Sequence, residues 1–271
     1  GEDFYEQRNV PHGEVREQRY FSQITNEWRR IFVYTPPEYQ QNPAARFPVL
    51  YLLPGAGEDE TCWSAQGRAG QILDNLIAEQ KAKPMLLVMD GGIARRPEEL
   101  DPVVRLTDLS AGLQLAADPN QRFAALEEVF LNDLIPMIDR TYRTVANGEH
   151  RALAGLSLGA AQAFTIGLRR FDQFASLGSF SGAGGGSRTF DPQTVRDSVM
   201  ADADAFNRKI RVLFMSVGAN EAERSVSSGT QYRQALQDLG INYVFYESPD
   251  TGHEWHTWRR SLREFASLLF K

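Results

Sequence analysis

The chain of 271 residues is predicted to be an α/β protein: a mostly parallel sheet of about eight strands, opened by an antiparallel hairpin and wrapped by helices on both faces. Three observations predict this. Apolar runs of strand length, such as FPVLYLL at Phe47–Leu53 and MLLVM at Met85–Met89, are nearly continuous, as in strands buried on both faces rather than one. Between such runs lie segments of helical period, so that strand and helix take turns along the chain. Finally, the pentapeptide Gly155-Leu156-Ser157-Leu158-Gly159 joins a short apolar run to a helical stretch. That places a serine at the carboxyl end of a strand, where the reactive groups of open parallel sheets gather.

The elements follow in order. Val15–Ser22 and Trp28–Thr35 read as two strands about a Thr25-Asn26-Glu27 turn, the second ended by Pro36-Pro37, since proline cannot donate to a sheet ladder. Phe47–Leu53 and Met85–Met89 are followed by shorter runs at Ala152–Ala154, Ser176–Phe180, Val212–Val217 and Asn242–Tyr246. Helical patterns cover Ala69–Gln80, Ala125–Tyr142, Leu158–Arg170, Thr230–Leu239 and Trp255–Phe270. After Ser157, Leu158, Ala161, Thr165 and Leu168 recur near helical spacing, and Gly240 follows Leu239 as a helix stop does. Two longer segments, Gly91–Arg122 and Ser181–Phe206, leave strand ends on the expected active face and are expected to shape access to it.

Composition bounds the function. A chain of this length with 42% hydrophobic residues buries a full core, and it is read as one domain over 1–271, with 1–14 a leading segment. The net charge of −6 comes from interspersed acidic and basic residues, which argues against nucleic acid as a partner, because phosphate binding wants a basic face. No apolar stretch reaches the ~18 residues of a membrane span. Cys62 is the single cysteine, so an internal disulfide and a cysteine-based metal cluster are both excluded. There is no internal repeat.

Ser157 is the candidate nucleophile, and a serine needs a base, an orienting acid and oxyanion donors. Of His12, His150, His253 and His256, His253 is the candidate base: it follows the last strand and precedes the final helix, on a loop able to swing over Ser157. His256 is the alternative. A zinc site at His253-Glu254-Trp255-His256 fails on spacing, because the metalloprotease pattern puts its second histidine four positions on, where Thr257 stands. Glu221, just after the strand Val212–Val217, is the candidate acid, with Glu223 and Asp250 as rivals. The order Ser157, Glu221, His253 is the nucleophile, acid, histidine order of α/β-hydrolases. The expected oxyanion donors are the backbone amides of Leu158, at a helix N-terminus, and of Ala56, in the Pro54-Gly55-Ala56-Gly57 turn after FPVLYLL. Trp63, Trp255 and Trp258 are candidates to line an aromatic acyl pocket, although Trp258, inside a helical pattern, equally suits core packing.

The ordered series FPVLYLLPGAGEDETCWSAQG, PMLLVMDGG, FLNDLIPMIDRTYRT, ALAGLSLGAAQAF and DTGHEWHTWRRSL resembles the esterase D-like α/β-hydrolases, and more narrowly carbohydrate esterase family 1, the feruloyl and acetylxylan esterases. The likeness runs from about Val10 to the C-terminus. It implies a secreted or periplasmic esterase acting without a cofactor on feruloylated or acetylated xylan oligosaccharides. The family's triad falls on Ser157, Glu221 and His253, and its oxyanion donors on Ala56 and Leu158. This chain departs from the pattern where many relatives read His-Gly for Pro54-Gly55, Met-Gly-Gly for Leu158-Gly159-Ala160, and aspartate for Glu221. Its leading PHGEVRE and WRRIFVYTPPEY segments resemble esterase domains that follow a carbohydrate-binding module. An acetylxylan esterase, a broader carboxylesterase or an acyltransferase would use the same triad; a non-catalytic carbohydrate-binding module on this scaffold is the reading from another class.

Overall fold

The computed structural model describes residues 3–99, 123–182, 191 and 198–271. Among the described residues eight strands form one sheet: β1 (Glu14–Ser22), β2 (Glu27–Thr35), β3 (Val49–Leu53), β4 (Leu86–Asp90), β5 (Arg151–Leu156), β6 (Ser176–Phe180), β7 (Val212–Gly218) and β8 (Val244–Ser248). Their spatial order is β1-β2-β4-β3-β5-β6-β7-β8. β1 and β2 pair antiparallel from Glu14 opposite Thr35 to Ser22 opposite Glu27, and β2 meets β4 antiparallel, Ile31 opposite Asp90. All other pairings are parallel.

Burial on both faces accounts for the continuous apolar runs. In β3, Val49, Tyr51 and Leu53 face one core, which includes Phe130, Ile138, Phe164 and Ile166. Leu50 and Leu52 face the other, which includes Ile72, Leu73, Leu262 and Phe265. The first core lies under the helices Ile135–Thr141 and Leu158–Arg169, the second under Ala69–Ala78 and Trp255–Leu268. Each large apolar side chain buried this way contributes ~1.5–3 kcal/mol, so the sheet is a rigid floor for whatever sits on its carboxyl edge.

Three expectations need correction. The last strand is Val244–Ser248 rather than Asn242–Tyr246; as an edge strand it is half-exposed and carries a weak apolar signal. The helix expected over Thr230–Leu239 begins at Glu223, because its first turns are polar and show no buried stripe. The stretch Ala125–Tyr142 is not one regular helix: α-helical Ala124–Glu128 passes through wider π-type turns at Val129–Leu134 before α-helical Ile135–Thr141. The wide turns sit directly ahead of Pro136, which has no N–H for the ladder. Of the two segments expected to shape access, residues 100–122, 183–190 and 192–197 lie outside the described residues. Among the described residues no helix is long and apolar enough to cross a membrane.

Candidate active site

Ser157 links β5 to the helix Leu158–Arg169 with φ 52° and ψ −113°, a backbone state that costs a non-glycine residue ~1–3 kcal/mol. The surroundings enforce it. The Ser157 amide donates to the Phe180 carbonyl at 2.9 Å, and its carbonyl accepts from Ala160 at 3.2 Å. A Cβ on Gly155 would run into the Gly159 backbone, and one on Gly159 would run into the carbonyls of Leu53 and Pro54. The two glycines are therefore required by close approach, and the hydroxyl is left at the carboxyl edge of the sheet.

His253 and Glu221 come to that hydroxyl from β8 and β7. His253 Nε2 lies 3.0 Å from Ser157 Oγ, and His253 Nδ1 lies 3.3 Å from Glu221 Oε2. The Glu221 side chain is only 1% exposed, whereas that of His253 is 43% exposed, so the acid is sequestered and the base is open to substrate. Glu221 Oε1 accepts the Gly218 amide at 3.0 Å. Burial pushes the Glu221 carboxyl upward, but hydrogen bonds from His253, Ser181 and the Gly218 amide outweigh it and hold its pKa below the ordinary value. The loops themselves are pinned together: the Asn220 amide donates to Thr251 at 2.8 Å and the Ala219 amide to Ser248 at 2.9 Å. The rivals Glu223 and Asp250 are exposed, and Glu223 opens a helix instead. The other histidines stand elsewhere: His12 on Asp74, His150 on Asn147, and His256 against the Tyr5 ring.

The turn after β3 lies beside the nucleophile. A Cβ on Gly55 would fall 3.6 Å from that of Ser157. Among the described residues, the amides of Ala56 and Leu158 have no backbone acceptor, the condition expected of groups waiting for an oxyanion. Trp63 does not offer its face to a ligand. It is 1% exposed, and its indole N–H donates to the Leu53 carbonyl at 2.9 Å, so it anchors the base of this turn. Its place in an acyl pocket is corrected accordingly. Half-buried Trp255 packs edge-on against both Trp63 and Trp258. Trp258 is buried, meets the His253 ring edge-on at 5.1 Å, and donates its N–H to Ser181 Oγ at 3.0 Å.

Ser181, which links Trp258 to Glu221, was missed by sequence reasoning. Its position directly after a buried strand, on the same edge as Ser157, was the available signal. Among the described residues no group of three or more His, Cys, Asp or Glu side chains could hold a metal ion.

Known proteins resemble this chain in sequence and in fold. The family profile "Putative esterase" matches residues 22–267. An endo-1,4-beta-xylanase/feruloyl esterase of Xylanibacter ruminicola is 32% identical across the whole of this chain, which spans 33% of that protein; an uncharacterised Corynebacterium glutamicum protein is 27% identical over 86% of the chain and 55% of its own length. In fold, the chain superposes on the ferulic acid esterase of Anaeromyces mucronatus in complex with ferulic acid (TM-score 0.77, 20% identity, 100% and 96% of the two chains covered). It likewise superposes on a mutant of the Clostridium thermocellum feruloyl esterase module complexed with sinapinate (TM-score 0.73, 18% identity, 100% and 92% covered). The resemblance read from the separated motifs holds at the level of the family: the chain belongs to the esterase family.

Proposed function

We propose that this chain releases ferulic or related hydroxycinnamic acids from arabinoxylan, with Ser157 as nucleophile, His253 as general base and acid, and Glu221 as the orienting carboxylate. The observation that carries the reading is the 3.0 Å approach of His253 Nε2 to Ser157 Oγ, backed by Glu221 on Nδ1. Glu221 holds the imidazole with Nδ1 protonated, leaving Nε2 free to accept the serine proton. Ser157 Oγ attacks the ester carbonyl carbon, and the developing oxyanion is met by the N–H groups of Ala56 and Leu158. His253 then gives its proton to the departing sugar oxygen as the C–O bond breaks, leaving an acyl-serine. Water, deprotonated by His253, attacks that ester; the proton returns to Ser157 Oγ and the carboxylic acid leaves. Half-buried Trp255 is proposed to flank the acyl group. The hydroxycinnamoyl preference is supported by the relatives that carry that activity in their names.

The test is turnover of methyl ferulate beside 4-nitrophenyl acetate by the wild type and Ser157→Ala. Hydrolysis of methyl ferulate by the wild type, and loss of at least ~10³-fold in kcat in the variant, is expected. Turnover of the acetate alone moves the assignment to an acetyl esterase on the same triad. No hydrolysis of either ester removes the enzymatic reading.

A further inference from the structure

We propose that Glu58 is a positioning residue for the oxyanion site: its carboxylate acts as a fixed hydrogen-bond acceptor that holds the Ala56 amide toward Ser157. The proposal rests on the assignment of Ser157 as nucleophile.

The turn is closed from both sides. The Glu58 amide donates to the Gly55 carbonyl at 3.3 Å, and the Gly55 amide donates to Glu58 Oε2 at 2.9 Å. Gly57 has φ +82°, the value that the third residue of a type II turn requires. Two of the four amides in Gly55–Glu58 are thus committed within the turn. Those of Ala56 and Gly57 have no backbone acceptor among the described residues. Gly55 itself lies against the nucleophile elbow: a Cβ there would lie 2.7 Å from Leu156 Cδ1 and 3.0 Å from Glu58 Oε2, so a side chain would push on the carboxylate that holds the turn. The peptide unit leaving Gly55 carries both the Gly55 carbonyl and the Ala56 N–H, so the Glu58 amide on that carbonyl acts on it directly, while the Glu58 carboxylate holds the unit before it. Together the two bonds limit the rotation at Gly55 by which the Ala56 N–H could turn away.

The charge of Glu58 argues for a geometric role. The negative charge of a carboxylate beside a site that stabilises negative charge opposes the transition state, so the charge itself gives Glu58 no catalytic benefit there; what it gives is the acceptor on the Gly55 amide. Its use here is therefore as an acceptor, and a neutral acceptor of the same length should serve. Alanine removes the acceptor, and aspartate is one methylene too short to reach it.

The experiment compares wild type, Glu58→Ala and Glu58→Gln on methyl ferulate, with rates referred to sites titrated by a fluorophosphonate. A trifluoromethyl ketone, which forms an oxyanion on Ser157, serves as the transition-state probe. Glu58→Ala should lose ~10–100-fold in kcat, less than the ~10²–10³ of deleting an oxyanion donor outright, with KM within about threefold. Its affinity for the ketone should fall in parallel with kcat, and Glu58→Gln should recover most of both. If Glu58→Ala is insoluble, Glu58→Asp should show the same loss of kcat. Wild-type turnover per titrated site in Glu58→Ala or Glu58→Asp overturns the proposal, as does a Glu58→Gln variant as impaired as they are. A fall only in the titratable fraction, with kcat per site intact, marks a merely structural role and also overturns it. A wild type that the fluorophosphonate does not label overturns the assignment of Ser157 instead, and the inference with it.

Discussion

At Glu221 two opposing effects meet on one carboxylate. Burial raises its pKa, and the donors around it, led by His253 and Ser181, lower it further than burial raises it. Replacement by glutamine keeps the shape but offers His253 an N–H where it needs an acceptor, favouring the wrong tautomer; kcat on methyl ferulate is expected to fall ~10³–10⁴-fold. Glu223→Gln and Asp250→Asn serve as comparisons, and wild-type-like turnover in Glu221→Gln with loss in either of these would move the acid. The pH dependence has a definite sign. Because the folded pKa lies below the unfolded ~4.3, the unfolded state takes up the proton first as pH falls. The stabilisation from Glu221 is full above the ordinary glutamate range and is lost as pH drops through the folded value. Urea unfolding of wild type against Glu221→Gln should therefore show a stability difference that is flat from pH 6 to 8 and shrinks below about pH 5. Ser157, His253 and Glu221 were legible in the sequence because motif and chain order mark them. Ser181 and Glu58 were not, because each acts through a partner that only the fold brings near: Glu221 and Trp258 for one, the Gly55 amide for the other.

In two elements, the elbow and the turn after β3, glycines are required for different reasons and fail in different ways when substituted. A methyl at Gly159 meets backbone carbonyls of Leu53 and Pro54, which cannot rotate aside. Gly159→Ala is expected to lose several kcal/mol of stability by overpacking, and with it most turnover, since the same displacement moves the turn that carries Ala56. At Gly57 no heavy atom lies within 4 Å of the added Cβ, and only φ +82° stands against it. Gly57→Ala should cost ~1–2 kcal/mol of backbone strain without a clash. Thermal unfolding with a parallel kcat measurement separates the two, and equal penalties would contradict this account. Strands buried on both faces, such as Val49–Leu53, were readable because every residue must be apolar, whereas the edge strand Val244–Ser248 and the polar start of Glu223–Asp238 carry little pattern. The wide turns at Val129–Leu134 arise from the ladder ahead of Pro136, which apolar periodicity does not report.

Across the whole molecule the proposed catalytic groups are spread over half the sheet, and strand order decides which can meet. β3 and β5 are neighbours, so the turn after β3 falls beside Ser157 with no further reach. β8 is three strands from β5, ~14 Å at ordinary strand spacing. His253 and Glu221 must therefore lean back over the end of β6, where Ser181 and Trp258 fill the gap. The other half of the sheet is held by a second buried polar group. Arg29, on β2 beyond the end of β4, bonds Asp90 at 2.9 Å, the Tyr20 hydroxyl at 3.1 Å and the Ile93 carbonyl at 2.6 Å. Its side chain is 12% exposed and that of Asp90 1%. Removing one member leaves the other charge buried, and the cost of breaking such a pair is ~3–5 kcal/mol. Arg29→Met should therefore lower unfolding stability by about 3 kcal/mol or more, and adding Asp90→Asn should return part of the loss by removing the stranded charge. The loss should be nearly independent of salt, since buried pairs are poorly screened. A double variant as unstable as the sum of the two single ones would mean that the residues act independently, and the hairpin would then be held to the sheet by its β2–β4 ladder and apolar face alone.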